Sequence, residues 1–346
     1  MSSAFAMWRK SLSQLVMMDS KSSWELLDPL SKWFIATRSA VTTVTLYSGL
    51  IAGLLAWQYL WKESGFFNLF TWLVMTLGLF IAHGTNNLMN DYVDFKRGID
   101  TDNYFRTQYG VHPLAQGFWT KRTHMRWFVV SGILALLSAI YAMYVAHFTP
   151  LVVTLVGVGS LLLLTYTYPL KYVGIGELSI FTVWGPLMIG GIYYVLTGHW
   201  SWNVFLASVP VGLSVASINV AKHTDKMLED RLKKVRTLPV LLGERAARYI
   251  AIGSLVLPYL VILYLVFFAR FFSPVMLLVA IALDPARKAI ARLSRPRPLE
   301  APEGYPLWPR WFSTVCFLHN RRFSNYFVLG LIADTALRTF LPQFWR

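Results

Sequence analysis

Two stretches of this chain, residues 127–170 and 178–221, each run 44 residues without a single Asp, Glu, Lys or Arg. About 20 apolar residues in a helix cross a ~30 Å hydrocarbon core, so each stretch holds two crossings. Shorter uncharged runs at 39–61, 64–90, 249–269 and 271–283 repeat the pattern. Turn-forming residues divide the long runs, His147-Phe148-Thr149-Pro150 in the first and Gly198-His199-Trp200-Ser201 in the second. Seven strong spans result. Two weaker ones follow, since 271–283 is short and 323–341 carries Asp334 and Arg338. The expected fold class is an all-α polytopic membrane protein of about nine transmembrane helices. Composition agrees: 55% of residues are apolar and 14% charged, against roughly 25% charged in soluble domains.

Orientation follows from counting. With the N-terminus in the cytoplasm, 28 of the 32 Lys and Arg fall on the cytoplasmic side: five before the first span, six in 90–126, Lys171, eight in 222–248 and eight in 285–322. Lys62, Arg270, Arg338 and Arg346 remain outside. Basic residues accumulate on the cytoplasmic side of membrane proteins, so the split predicts a multi-pass protein of the cell (inner) membrane with a cytoplasmic N-terminus. Residues 1–36 mix charges with short apolar clusters and lack the h-region of a signal peptide. They read as an uncleaved cytoplasmic segment. The remaining divisions are a transmembrane core over 37–283, a basic, proline-rich cytoplasmic linker over 284–322, and a last helix and C-terminus over 323–346. The net charge of +15 is spread between long uncharged runs, which excludes a nucleic-acid arm. The single cysteine, Cys316, excludes an intrachain disulfide or a thiolate cluster.

The acidic residues carry the functional information. Seven of the 17 fall into two segments, Asn86 to Asp102 and Asn219 to Arg231, each at the cytoplasmic end of a strong span. The chain thus reads as two similar halves, each supplying an acidic cluster at one membrane depth. At ~100° per helical residue, Asn87 and Asp91 lie about 40° apart and Asn87 and Asp94 about 20° apart. These three predict an oxygen-bearing stripe, with Asn90 to its side. Such a stripe suits Mg²⁺, which takes oxygen ligands and keeps waters or phosphates in its shell. Carboxylates this close to hydrocarbon are costly unless partnered. The competing reading is simple pairing with Lys96, Arg97, Lys222 and Lys226. Two clusters at one depth, both beginning with Asn, favour function. The seven histidines contain no i,i+4 metal pair.

Asn90-Asp91-Tyr92-Val93-Asp94-Phe95-Lys96-Arg97-Gly98-Ile99-Asp100-Thr101-Asp102 resembles the first Asp-rich motif of the UbiA superfamily of intramembrane prenyltransferases. Arg236-Thr237-Leu238-Pro239-Val240-Leu241-Leu242-Gly243 resembles the segment after that family's second motif. Tyr168-Pro169-Leu170-Lys171, Gly174-Ile175-Gly176-Glu177-Leu178 and Trp184-Gly185-Pro186-Leu187 are similar to the branch acting on dihydroxynaphthoate in menaquinone synthesis. The likeness spans roughly residues 32 to 270. One departure stands out: the family's second motif is Asp-x-x-x-Asp, whereas Asp225 and Asp230 are five apart and Asp225 and Glu229 four.

The resemblance implies Mg²⁺-dependent transfer of a prenyl group from an isoprenoid diphosphate to an aromatic acceptor of the quinone, menaquinone-like type, in a membrane lipid setting. It makes Asp91, Asp94, Asp225 and Asp230 the catalytic set. Two ions would be held, one by Asn87, Asp91 and Asp94, the other by Asp225 with Glu229 or Asp230. Asn87, Asn90, Lys96, Arg97, Lys226, Arg231 and Tyr168 would bind the substrate. Rival readings are a transporter or Mg²⁺ channel, which generally places its charges nearer the bilayer midplane, and the same fold acting on 4-hydroxybenzoate, a chlorin, haem or a glycerol phosphate lipid.

Overall fold

The computed structural model describes residues 4–18, 20–100 and 110–341, which leaves Asp102 and Arg106 outside the description. Every regular element among them is helical. We number α1 (Ala4–Ser13), α2 (Pro29–Ala36), α3 (Ser39–Glu63), α4 (Leu69–Lys96), α5 (Lys121–Val145), α6 (Pro150–Thr165), α7 (Gly176–Thr197), α8 (Trp202–Asp225), α9 (Met227–Leu232), α10 (Glu244–Phe267), α11 (Leu283–Leu293) and α12 (Phe312–Phe340). Of these, α3, α4, α5, α7, α8 and α10 are long and apolar enough to cross a membrane. α6 is apolar but only 16 residues long. The two weaker spans become a 3₁₀ segment, Pro274–Ala282, running into α11, and part of the 29-residue α12.

Helix boundaries fall where turn chemistry places them. Asn68, Thr120 and Ser201 cap α4, α5 and α8, each side chain accepting a backbone N–H of the first turn. Left-handed residues His147 and Phe148, followed by Pro150, separate α5 from α6, and left-handed Gly198 separates α7 from α8. The segment expected as a linker contains α11 and the first turns of α12, leaving only 294–311 without a helix. The cause is a face formed by Ala286, Ala289 and Leu293, all buried at helical spacing, which the surrounding charges conceal in a hydropathy count. The N-terminal segment lies against the bundle: α1 packs on α2 and on the start of α3, and the Trp8 indole donates to Asp28 at 3.1 Å.

α8 is the centre of the molecule, 72% buried over its apolar window, whereas α5 is 11% buried and turns its surface outward. α8 packs on α7, α10 and α12, and α3 packs on α4, α7 and α12. Lipid is as apolar as leucine, so close approach between spans depends on small residues. One backbone-to-backbone crossing joins Gly185 of α7 to Gly212 of α8. A Cβ on Gly212 would stand 2.6 Å from the Phe181 carbonyl oxygen and 3.2 Å from Gly185 Cα, both backbone atoms that cannot turn away.

Gly212→Ala should therefore lower the thermal unfolding midpoint in detergent, at about 1–3 kcal/mol of overpacking. Gly157→Ala, with nothing within 4 Å of its Cβ, should leave the midpoint unchanged or raise it. Equal midpoints for the two variants would contradict the crossing.

Candidate functional site

A cavity of about 730 Å³ opens at the end of the bundle where α4 and α8 terminate, walled by those helices, α1, α3, α7 and α12. α4 is regular to Lys96. It presents Asn86, Asn87, Asn90 and Asp94 to the cavity, an arc of about 100° at ~100° per residue. Asp91 lies about 40° beyond that arc and is not in the cavity wall among the described residues. The oxygen-bearing face that α4 turns to the cavity is rotated from the expected stripe, with Asn90 inside it and Asp91 at its flank. Asp91 is fully buried against Arg38 Nη2 at 3.3 Å. With Asp100 and His112 it forms a buried group whose ligand atoms lie within 4.8 Å of one another, and His112 Nε2 meets Asp100 Oδ2 at 3.1 Å.

Asp94 is held on both oxygens by the Lys171 ammonium, at 2.8 and 2.6 Å, and accepts from Asn90 Nδ2 at 3.2 Å. Asn87 donates its amide N–H to the Thr37 carbonyl at 2.8 Å. Both asparagine amides thus spend their donors on the protein, while their side chains line the cavity with a carboxylate between them. That donor set fits one hard cation.

The second acidic segment is arranged otherwise. α8 stops at Asp225, Lys226 breaks the helix with φ −112° and ψ 21°, and α9 begins at Met227. Asp225 Oδ1 accepts from the Phe312 amide at 2.8 Å, and its Oδ2 accepts from the Ser313 amide at 2.9 Å and hydroxyl at 2.6 Å. It closes the first turn of α12, where helical N–H groups have no partner of their own, and Arg297 Nε stands 3.8 Å away. Asp230, also fully buried, takes the Lys226 ammonium at 2.9 Å and faces the Thr237 hydroxyl at 3.4 Å. Among the described residues, Asp225, Glu229 and Asp230 do not line the cavity; Lys222 and Lys226 do. Lys96 and Arg231 are exposed outside it, and Arg97 stacks over Tyr168 at 3.9 Å on the rim side.

The UbiA prenyltransferase family model matches residues 49–305. The chain belongs to the UbiA prenyltransferase family. Among curated relatives, it is 24% identical over 230 residues to the UbiA prenyltransferase domain-containing protein 1 homolog of Drosophila melanogaster, covering 66% of this chain and 63% of that protein. It is 28% identical over 232 residues to the 2-carboxy-1,4-naphthoquinone phytyltransferase of Synechocystis, covering 66% and 72%. The chain spans about six tenths of the length of the first curated relatives it matches. Its fold is like that of the apo UbiA homolog of Aeropyrum pernix K1, with a TM-score of 0.63 at 15% identity over 85% of this chain and 98% of that one. A UbiA homolog of Archaeoglobus fulgidus bound to GPP and Mg²⁺ aligns with a TM-score of 0.54 at 13% identity, over 87% and 99%.

Within this UbiA fold, several cavity residues escaped the sequence reading. Lys171 is the clearest. It is buried, and its sequence signals are that one cation interrupts two long uncharged runs and that it ends the Tyr168-Pro169-Leu170-Lys171 segment. Glu177 and His223 form a buried pair, Oε1 to Nδ1 at 2.5 Å, with His223 in the cavity wall. Burial, and next the Asp94 carboxylate, push the Tyr172 phenol up to about 12, so it stays protonated at neutral pH.

Asp225→Ala should uncouple α12 from α8. The loss of charge-assisted bonds worth roughly 1.5–3 kcal/mol each should appear as a lower unfolding midpoint and faster proteolysis between 294 and 311. An Asp225→Ala protein as stable and protease-resistant as the parent would show that the clamp contributes nothing.

Proposed function

We propose that the chain transfers a prenyl group from an isoprenoid diphosphate to an aromatic acceptor of the quinone type. The observation that carries this reading is the adjacency of two unlike cavities. The polar one shares His83, Asn86, Tyr166, Ile180 and Trp184 as wall residues with an apolar cavity of about 420 Å³ lined by α4, α5, α6 and α7. A charged head on a long hydrocarbon tail fits that pair of spaces, and burial of the tail contributes about 0.8 kcal/mol per CH₂.

Asn87, Asn90 and Asp94 would hold a Mg²⁺, which when bound neutralises charge on the departing diphosphate. Lys171, Lys222 and Lys226 face the same space and stabilise the negative charge that develops as the C–O bond ionises. Asp91 acts through Arg38, which it fixes in the cavity wall. The rings of Tyr47, Tyr166 and Trp184 exclude water and present π-faces to the allylic cation. His223, oriented by Glu177, is placed to take the proton the acceptor ring releases. Support for an aromatic acceptor comes from the Synechocystis phytyltransferase, which shares 28% identity over 232 residues.

Two outcomes are expected. With a long-chain prenyl diphosphate, Mg²⁺ and a mixed acceptor panel, mass spectrometry should find a prenylated aromatic product, and Asp94→Ala should reduce its rate at least about 100-fold, roughly 2.7 kcal/mol. A prenylated glycerol phosphate as the sole product would overturn the acceptor class. The charge bias supports a cytoplasmic polar cavity at the inner membrane. Cys316 is buried, so single cysteines report cleanly: label applied outside intact cells should reach Lys62→Cys and miss Gly117→Cys and Lys234→Cys. Labelling at Gly117→Cys would reverse the orientation.

A further inference from the structure

The polar cavity is lined by six cations, Arg38, Lys171, Lys222, Lys226, Arg310 and Arg321, and by two carboxylates, Asp94 and Asp100, among the described residues. On the α4 side Asp94, with Asn87 and Asn90, offers oxygens for one divalent ion, while Asp91 and Asp100 are paired with Arg38 and His112. On the α8 side the acidic residues are engaged elsewhere: Asp225 closes the first turn of α12, and Asp230 takes Lys226 from behind the wall. What α8 shows the cavity is Asn219, Lys222, His223 and Lys226. A second divalent ion at this position would meet two ammonium groups and, among the described residues, no carboxylate. The donor set does not fit it.

We propose that this chain binds its diphosphate substrate with one divalent ion, and that Lys222 and Lys226 supply the positive charge that a second ion would bring. The inference rests on the prenyl diphosphate reading above and specifies how the head group is held. An ammonium neutralises phosphate as a point charge with three donors. Lys226 is anchored for this by Asp230, which is fully buried and fixes the ammonium at 2.9 Å from Oδ1. Lys222, one helical turn before Lys226 on the last turn of α8, faces the same space. The head group then lies between an oxygen-lined wall on α4 and an ammonium-lined wall on α8. The break at Lys226 and the capping of α12 by Asp225 are what turn the carboxylates of the second segment away from that space.

Counting ions tests this without reference to turnover. The full chain, purified in detergent, is titrated with Mn²⁺ in the presence of a non-hydrolysable thiolo analogue of geranylgeranyl diphosphate, and free Mn²⁺ is measured by electron paramagnetic resonance. One analogue-dependent Mn²⁺ per chain is expected. Lys222→Met and Lys226→Met should each weaken analogue binding about tenfold, the loss of one charge-assisted contact, with the stoichiometry still one. Two Mn²⁺ per chain with tight analogue binding would overturn this inference and leave the prenyl diphosphate reading standing. Unchanged analogue affinity in both lysine variants would also overturn it. Failure of the analogue to bind the parent protein under any Mn²⁺ concentration would overturn the functional reading itself.

Discussion

A carboxylate at the edge of hydrocarbon must be met by a partner, because an unpaired charge there costs several kcal/mol. The arrangement of this bundle's charged residues follows from that requirement. Asp94 is met by Lys171, Asp91 by Arg38, Asp230 by Lys226, and Asp225 by the first turn of α12. At the opposite end of α12 the same solution appears again: fully buried Asp334 accepts from the Ser273 amide, Gln58 and Arg338, at 2.9, 3.0 and 2.9 Å. Removal of one partner from such a pair is more damaging than the pair is stabilising, so each contact is a strong constraint on where its two segments sit.

Most of these pairs join segments far apart in sequence, and in doing so they shape the cavity. Lys171 fastens the turn between α6 and α7 onto α4, 77 residues away. Arg38 ties the start of α3 to the middle of the first acidic segment, and Asp225 ties α12 to α8 across 87 residues. Helix packing alone, governed by small residues such as Gly185 and Gly212, would leave the axial register of these spans weakly defined. Ion pairs and caps at one end fix it, so the polar cavity keeps a defined shape while the apolar faces of α5 and α6 remain open to lipid.

The sequence disclosed what hydropathy and turn chemistry control. Six of the seven strong spans, the breaks at 147–150 and 198–201, and the placing of both acidic segments at helix ends are local properties, and those helices are where the uncharged runs put them; the seventh, α6, is only 16 residues long. What it did not disclose is the rotation of each helix and the identity of each partner. The α4 stripe was displaced because periodicity defines a face without saying which neighbour it meets; Asn90, set to one side by the angles, is in the wall, and Asp91 is behind it. The second segment was harder still. A regular helix through residue 230 predicts one pairing geometry, yet the chain breaks at Lys226, and Asp225 turns to backbone amides of a helix that begins 87 residues later. No spacing rule contains that information. Lys171 was legible as a lone cation between apolar runs and as the end of the Tyr168-Pro169-Leu170-Lys171 segment, signals that orientation counting and family likeness absorbed without asking what it neutralises.

The Asp94–Lys171 pair also has a consequence for how the proposed ligands enter. Both oxygens of Asp94 are taken by one ammonium. On the proposed reading a divalent ion would compete with Lys171 for that carboxylate, and the ammonium would gain from a second anion beside it. The diphosphate is such an anion. On that reading cation and diphosphate binding would be linked through a single exchange of partners, each lowering the cost of admitting the other. A divalent ion alone would strand Lys171, and a diphosphate alone would have to compete with Asp94 for it. The contact that fastens the turn between α6 and α7 onto α4 would thus be the same one that makes the two proposed ligands depend on each other.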